Sequence, residues 1–472
     1  MLSLLVLHAG CGGPAEPDSL MCSMPAGHDF YLTLNPELAG LDQVLRLIAG
    51  YADADELGRA DMVSIVGFDP FDWREWVDVL ALRPGDEIGL VIDGGRNDIR
   101  VVTFYLPTDD AASLEEFATG LRDRATEARA GMSLLSTGEY TAVSLFEEGS
   151  DAGPVDDYQL DGSILDDNDY SRLSGEGRRE DTVLRFFADT GSFPGTEGFR
   201  AMLLECRESG GLVSVALSFS TEEDVPYLPF LASEGSSEGV TVPAGTDAAM
   251  RLSFNMPYLK QLAMEAGLDR EVGTGLEEFG LSSFEELFDS FGGDLYAGAL
   301  FSGDTPAGFL QLGVRDMEAV TRLLDMIFLV AAGSGDPGMT TFEFRGRNCY
   351  RTSSTGSIGM EFIEFGVVDE AIVIGAGVSL EQIAGGTTFE DYTEDNALGL
   401  EQNSGMILTA DLESIASGDL VDDSFRESIG ESGIKRLSSS AGYSEGVFAV
   451  AVVMEFEGES GFMELLRLLG GI

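Results

Sequence analysis

At 472 residues the chain is longer than one ordinary domain core requires, and 44% hydrophobic residues are ample for a buried interior. Two or three domains are therefore expected, and the apolar content argues against a disordered chain in spite of the charge. The 83 acidic and 27 basic residues give a net charge of −56, which would repel the phosphate backbone of a nucleic acid, so nucleic-acid binding is excluded.

The acidity has two explanations at the level of sequence. Only two of the bases are lysines, Lys260 and Lys435. Acid-rich, lysine-poor compositions resemble those of proteins from saline environments, because concentrated salt shortens the Debye length to ~3 Å and screens self-repulsion. A cationic ligand is the competing explanation.

The N-terminus is apolar and ends in a glycine followed by a cysteine. The stretch MLSLLVLHAG precedes Cys11, and His8 stands where a leucine would be usual. This resembles the end of a bacterial lipoprotein signal, in which a small residue precedes the cysteine that receives the lipid. The resemblance implies a signal segment over residues 1–10, lipid attachment at Cys11 and a flexible tether over residues 11–28. A cleaved signal without lipid and a buried strand are the alternatives.

The first α+β pattern begins with a short strand that ends at Asn35 and is followed by a proline in the first helical turn. Two apolar runs, Glu87–Asp93 and Ile99–Leu106, flank a pair of glycines and predict a hairpin. Asp109 or Asp110 then offers a capping oxygen to an amphipathic helix. The pattern is therefore strand, helix, hairpin and helix.

The same pattern recurs in the second half of the chain. Asn255 ends a strand and precedes a proline, and the runs Asp294–Phe301 and Phe309–Val314 predict a hairpin. Asp316 is placed to cap a helix, whose apolar stripe comprises Met317, Val320, Leu323, Leu324 and Ile327.

Further matches follow downstream in the same order. The segments that begin at Val183 and Leu212 are paralleled by those that begin at Met406 and Phe448. We therefore expect an α+β protein of two tandem homologous domains, each a mainly antiparallel sheet with amphipathic helices packed on one face. The predicted boundaries are residues 29–238 and 239–472.

The arrangement also resembles an uncharacterised family of bacterial exported proteins with a duplicated α+β domain. The features that carry this resemblance are the strand–Asn–Pro–helix pattern and the segment Gly67–Asp72, of the form G-F-D-P-x-D, before a hairpin and a helix. The family has no assigned activity. The resemblance implies the fold and leaves the function open.

Cysteine usage agrees with export. Cys22 falls in the expected tether, whereas Cys206 and Cys349 fall in different copies. A disulfide between Cys206 and Cys349 would join the two copies, and two separate buried thiols are the alternative. No Cys/His spacing typical of a metal site occurs, and the acidic stretch Asp151–Asp169 lacks the glycine and glutamate of a Ca²⁺-binding EF-hand loop. We predict no metal and no cofactor.

Catalytic machinery is sparse. The two histidines, His8 and His28, both precede the expected folded domains, so neither fits a buried nucleophile–histidine arrangement. The chain lacks a G-x-S-x-G elbow, an H-E-x-x-H helix and a Walker loop. We therefore predict no catalytic residues, and a hydrolase built on a carboxylate pair is the remaining enzymatic alternative.

The expected function is a structural or protein-interaction role at the bacterial cell envelope. The partners would be the membrane, through the lipid on Cys11, and an envelope protein, and the location would be extracytoplasmic. The alternative is a carrier that holds a lipid or another apolar ligand between a sheet and its helices. Methionine- and phenylalanine-rich helices would line such a cavity, unless they are plain core: Met317, Met326, Phe328, Phe284, Phe288 and Phe291.

Overall fold

The computed structural model divides into two compact units. The N-terminal unit comprises Ala9–Asp224 and Glu459–Ile472, and the C-terminal unit comprises Val225–Gly458. The residues described are 20, 24–25, 27–42, 45, 63, 67–69, 71–93, 101–108, 110–124, 130–137, 139–147, 163–174, 181–190, 198–221, 231, 240–269, 276, 281, 283–301, 305–333, 338–353, 361–398, 400, 404–418, 421–458 and 461–470. Within them the fold is α+β, with antiparallel strands throughout and eleven α-helices.

Several expectations fall outside these residues. They are the signal segment 1–10, the lipid site Cys11, Cys22 and most of the acidic stretch 151–169. Among the described helices, none combines the length and the apolar character needed to cross a membrane.

The N-terminal unit is built on eight strands: β1 (Phe30–Leu34), β2 (Ile88–Asp93), β3 (Val101–Leu106), β4 (Ala130–Thr137), β5 (Tyr140–Glu147), β6 (Thr182–Asp189), β7 (Phe199–Ser209) and β8 (Leu212–Thr221). Their order in the sheet is β4-β5-β3-β2-β1-β6-β7-β8. Among the described residues between these strands are the helices α1 (Trp73–Leu80), α2 (Ala111–Arg124) and α3 (Asn168–Ser174).

The C-terminal unit has the following strands: β9 (Thr241–Val242), β10 (Ala248–Ser253), β11 (Phe291–Leu300), β12 (Ala307–Val314), β13 (Met339–Phe344), β14 (Arg347–Ser353), β15 (Phe362–Val368), β16 (Ala371–Ala376), β17 (Thr387–Thr388), β18 (Met406–Asp411), β19 (Ile434–Ser444) and β20 (Val447–Phe456). The sheet order is β13-β14-β15-β16-β12-β11-β10-β18-β19-β20. Its helices are α4 (Met256–Glu265), α5 (Phe284–Ser290), α6 (Met317–Gly333), α7 (Leu380–Ala384), α8 (Phe389–Asn396), α9 (Leu412–Ser417) and α10 (Asp423–Ser432).

The two units share one order of strands. Reading from β4 to β8 in the N-terminal unit and from β15 to β20 in the C-terminal unit, each strand has its counterpart at the same place. The hairpin of β13 and β14 is an addition that extends the C-terminal sheet beyond β15.

Helices cover both faces of the C-terminal sheet, so the expectation of helices on one face is wrong for this unit. Ile372 packs in a cluster with Val320 and Leu324 of α6, whereas the next residue, Val373, packs with Leu380 of α7 and Phe389 of α8. Successive residues of a strand point to opposite faces, and strands that are apolar at consecutive positions bury both faces.

Part of the segment expected to be a flexible tether belongs to the hydrophobic core of the N-terminal unit. Residues 11–28 were assigned to a flexible segment, but Leu20 and Met24 are 1% and 0% exposed and belong to the main cluster of the N-terminal unit. The Met24 methyl group occupies the space that a Cβ on Gly89 would need. The Met24 carbonyl accepts a hydrogen bond from the Ile164 amide at 2.9 Å. The tether prediction is therefore wrong for Leu20 and Met24. Both side chains are apolar, and Met24 fills the space that the missing side chain of Gly89 leaves open.

The last helix, α11 (Gly461–Gly470), also departs from the predicted boundaries. It was expected within the second domain, 239–472, but it groups with the N-terminal unit. The Glu208 carboxylate on β7 accepts hydrogen bonds from the amides of Gly461 at 2.7 Å and Phe462 at 3.3 Å. An acidic group at a helix N-terminus satisfies its unpaired amides and its positive dipole end, which explains why the helix begins there.

Candidate ligand-binding cavity

A cavity of about 720 Å³ lies within the C-terminal unit. Its floor is formed by β11, β12 and β16, and one wall is formed by β9 and α7. The volume falls in the range of small-molecule pockets, about 300–1,000 Å³. The lining combines apolar and polar side chains: Val240, Thr241, Gly292, Asp294, Tyr296, Gln311, Gly313, Val314, Met317, Arg347, Val368, Asp369, Glu370, Ala371, Val373, Leu380, Ile383 and Ala384.

Small residues on three neighbouring strands explain why the floor is open. Gly313 on β12 lies opposite Ala371 on β16, and Gly292 belongs to β11. A Cβ on Gly292 would come within 3.1 Å of the Gly313 backbone, so the two strands approach closely there. Because these positions carry no large side chain, the space above them is not filled from the sheet.

The N-terminal unit fills the corresponding place. Tyr105 is the fifth residue of β3 and lies opposite Ala142, just as Gln311 is the fifth residue of β12 and lies opposite Val373 on the floor of the cavity. Tyr105 is 1% exposed and packs in the same cluster as Leu20 and Met24. A tyrosine ring and an N-terminal segment therefore occupy in one unit the volume that remains open in the other.

A row of polar side chains crosses the sheet at the inner end of the cavity. Arg251, Tyr296 and Gln311 lie directly opposite one another on β10, β11 and β12. Arg251 is 2% exposed, donates to the Ser404 carbonyl at 2.8 Å and hydrogen-bonds to Tyr296, and its guanidinium lies over the Phe389 ring. Burial raises the pKa of Tyr296, and the negative charge of the nearby Asp294 raises it further. Arg251 lowers this pKa by less, so the phenol remains neutral at physiological pH.

Hydrogen-bond acceptors face the cavity from this end. The Gln311 amide nitrogen donates to the Thr241 carbonyl at 2.6 Å, while its oxygen has no partner among the described residues, although the side chain is 4% exposed. One oxygen of the Asp294 carboxylate accepts from the Ser253 hydroxyl at 2.6 Å. The Gln311 oxygen is not among the buried side-chain atoms that lack a partner, so it is open to the cavity and can accept a hydrogen bond from a bound group.

The rim is charged. Arg347, Asp369 and Glu370 line it, and Arg345 forms an ion pair with Asp369. The Arg345 guanidinium also donates to the Ala384 carbonyl at the end of α7. Charged groups at the mouth and apolar walls inside suit a ligand with a polar end and an apolar body.

The site residues predicted from sequence are not brought together here. Cys206 and Cys349 are both buried free thiols, so the structure does not contain the disulfide. Burial raises the pKa of the Cys206 thiol to about 12, and burial also raises the pKa of the Cys349 thiol. A thiol reacts as its thiolate, so neither is suited to act as a nucleophile.

Of the helix residues proposed to line an apolar cavity, only Met317 does so. Phe284 and Phe288 pack in a separate helical cluster, and Phe328 stacks on Tyr350 with ring centroids 4.6 Å apart. These aromatic residues are core, which was the alternative interpretation. Sequence reasoning missed the polar lining on the strands: Asp294, Tyr296 and Gln311. The sequence signal for them is that Asp294 and Tyr296 are two positions apart, and therefore on one face of a strand, in a run otherwise rich in apolar and small residues.

Comparison with known proteins adds little. No protein-family model matches the chain, and no curated protein matches it. Among solved structures, crystal form III of TP0453 aligns with 12% identity and a TM-score of 0.25, covering 44% of this chain and 82% of that one. Crystal form I of TP0453 aligns with 14% identity and a TM-score of 0.23, covering 44% and 81%. At these TM-scores the likeness carries no argument for fold or function.

Proposed function

We propose that the chain is a non-enzymatic binding protein that holds a small amphipathic ligand in the cavity of its C-terminal unit. The observation that carries this proposal is the floor of Gly292, Gly313 and Ala371, which leaves about 720 Å³ open between a sheet and its covering elements. Apolar residues such as Val373 and Ile383 supply a surface for an apolar body. The acceptors at the inner end would orient its polar group.

Tandem duplication is part of the proposal. The common strand order of the two units supports two homologous domains that have diverged in one respect. The N-terminal copy is filled by Tyr105, Leu20 and Met24 and serves as a stable platform. The C-terminal copy, with Gln311 in place of the tyrosine and Gly313 beside it, binds the ligand.

The proposed location is outside the cytoplasm, on a membrane reached through lipid on Cys11. This rests on the N-terminal sequence alone. Because Leu20 is already packed in the core, the free tether would extend only from Cys11 to Leu20. A fully extended chain of that length spans at most about 30 Å, at ~3.3–3.6 Å per residue, so the protein would work close to the membrane surface.

A protein-interaction role at the envelope is the second candidate. It is favoured by the end of α6, where Leu329 and Val330 are 60% and 61% exposed. Exposed apolar side chains on a helix are a frequent feature of protein contacts. In this case the cavity would be incidental, and the purified chain would carry no small molecule.

Native mass spectrometry of the full chain, purified without detergent, distinguishes the two. The cavity proposal predicts an adduct of small-molecule mass that is lost on denaturation. The Gly313→Leu variant should lack the adduct, because a Cβ there meets only Gly292 Cα at 3.5 Å and Asp294 O at 3.6 Å, and the larger side chain extends into the open volume. Gly430→Leu, at an exposed helical glycine with nothing near its Cβ, is the matched control. A clean apo mass for the wild type, together with no binding of added alkyl ligands, would contradict the proposal.

A further inference from the structure

The polar end of the cavity offers acceptors from two neighbouring strands. Tyr296 and Gln311 are directly opposite each other on β11 and β12, and Asp294 precedes Tyr296 by two residues, and all three line the cavity. Directly opposed residues such as Tyr296 and Gln311 have Cβ atoms about 4.5–5.5 Å apart. Asp294 lies two residues before Tyr296 on the same strand, at the irregularity between Phe291 and Leu295. Three side chains at this spacing can reach one small group between them.

The side chains at this end of the cavity present mainly hydrogen-bond acceptors. The Gln311 nitrogen is already engaged by the Thr241 carbonyl, which leaves its oxygen as the group that faces the cavity. The Asp294 carboxylate, when ionised, can only accept, and the Ser253 hydroxyl engages one of its two oxygens. A ligand group that fits here must therefore carry hydrogen-bond donors.

The negative charge around the cavity favours a positively charged donor over a neutral one. The whole chain carries −56, and its field concentrates cations in an acidic cleft. Asp294 and Glu370 line the cavity without an ion pair among the described residues, whereas Asp369 is engaged by Arg345. Arg347 is the one basic residue among the described residues of the lining, and it is exposed at the rim. The buried Arg251 lies behind Tyr296 and is not part of the lining.

We infer that the ligand is an organic cation: an apolar chain or ring system that ends in a protonated amine, with the ammonium held by Asp294, Gln311 and Tyr296. An ammonium group has three donors and no acceptor. Asp294 and Gln311 each offer an oxygen to it, and the Tyr296 oxygen, which already accepts from Arg251, retains a second lone pair. The apolar body lies along Ala371, Val373 and Ile383. This inference rests on the proposed function, because it names the ligand class of the same cavity.

Isothermal titration of the full chain with three probes of equal chain length tests it: octylammonium, 1-octanol and octanoate. Octylammonium is expected to bind at least about tenfold more tightly than 1-octanol, since hydrogen bonds to charged groups contribute more than neutral ones, and octanoate is expected to bind most weakly. Asp294→Asn should lower the affinity for octylammonium about tenfold and leave that for 1-octanol unchanged. Gln311→Met, which keeps the side-chain length and removes the amide, should lower the octylammonium affinity in the same direction.

Glu427→Gln on the exposed face of α10 is the matched control, because it removes one negative charge from a residue that does not line the cavity. It should leave the octylammonium affinity unchanged at physiological and at high salt. An equal loss in Glu427→Gln and Asp294→Asn would show attraction to net charge alone and would overturn the inference.

Equal binding of octylammonium and 1-octanol to the wild type would overturn the cation inference while the cavity function stands. Absence of binding by all three probes, or equal binding of them by the wild type and Gly313→Leu, would overturn the cavity function as well.

Discussion

Tyr105 and Gln311 hold the same position in the strand ladders of the two units, because each is the fifth residue of its strand and pairs with the third residue of the next strand in the sheet, Ala142 or Val373. In the N-terminal unit the tyrosine ring is buried in the main cluster. In the C-terminal unit the glutamine lines a cavity, and Gly313, two residues further along the same strand, has no side chain to fill it. Smaller side chains at and beside this ladder position thus separate an open sheet face from a filled one.

The Met24 side chain should stabilise the N-terminal unit. Met24 is fully buried, and its methyl group fills the recess above Gly89. Truncation of a buried methionine to alanine usually costs about 2–5 kcal/mol, because burial is lost and a cavity is left. Met24→Ala should lower the free energy of unfolding of this unit by that amount in urea denaturation. Val79→Ala, at a side chain 40% exposed on α1 of the same unit, should change it by less than about 0.5 kcal/mol. Equal effects of the two changes would mean that residues 20–25 are indeed a tether.

The Glu205 carboxylate should make stability depend on pH. Arg185 Nε and Arg207 Nη2 lie 3.0 Å and 2.8 Å from its oxygens. Burial by itself would raise the pKa of Glu205, but the two guanidinium charges and their hydrogen bonds together lower it. A lowered folded-state pKa contributes stability above the unfolded value, about 4.3, and that stability is lost as the pH falls through the folded pKa.

Glu205→Gln is expected to cost about 3–5 kcal/mol at neutral pH, because it leaves buried guanidinium charges without their carboxylate. The variant should also lack the part of the acid-induced loss that the wild type shows below about pH 4.3. Thermal unfolding at neutral and acidic pH measures both effects. An unchanged pH profile in the variant would show that Glu205 does not carry this dependence.

Cys206 and Cys349 should resist alkylation in the folded protein. Both are buried, and burial raises the pKa of each thiol. Since the thiolate is the reactive form, iodoacetamide at neutral pH should modify neither residue until the chain is unfolded. Peptide mapping before and after denaturant resolves each site. Protection from alkylation that persists after unfolding under non-reducing conditions would instead indicate a disulfide.

The Glu208 carboxylate should hold the start of α11. Its two hydrogen bonds to Gly461 and Phe462 satisfy amides that the helix itself leaves unpaired. Glu208→Gln is expected to destabilise the helix by about 1 kcal/mol and to speed hydrogen exchange in Gly461–Gly470. Glu457→Gln, an exposed neighbour in sequence, should leave the exchange unchanged. Equal exchange in all three proteins would argue against the cap.

Local features of the fold were predictable from sequence because they depend on neighbours along the chain. The runs Asp294–Phe301 and Phe309–Val314 correspond to β11 and β12. Asp316 accepts hydrogen bonds from the amides of Glu318 and Ala319, as its capping role predicts. Asn255 caps α4 with a proline in the first turn. In each case a turn or capping residue and the hydrophobic periodicity predict the same helix or strand.

The cavity was not predictable, because its cause is non-local. The meaning of Gly313 depends on which strands lie beside β12, and β16 is brought there only by the fold. The core role of Leu20 and Met24 depends on a recess at Gly89, far along the chain. Prolines and glycines around them favoured a tether, and their own apolar character was the competing signal.

The central claim is that Gly313 keeps the cavity open for a ligand. The most direct measurement is the affinity of 1-octanol for the wild type and for Gly313→Tyr, which places a large aromatic side chain on the floor of the cavity. We predict measurable binding to the wild type, loss of binding in Gly313→Tyr, and retention of binding in Gly430→Leu, with all three proteins folded as judged by circular dichroism and thermal unfolding. Equal affinity of 1-octanol for the wild type and a folded Gly313→Tyr would contradict the claim.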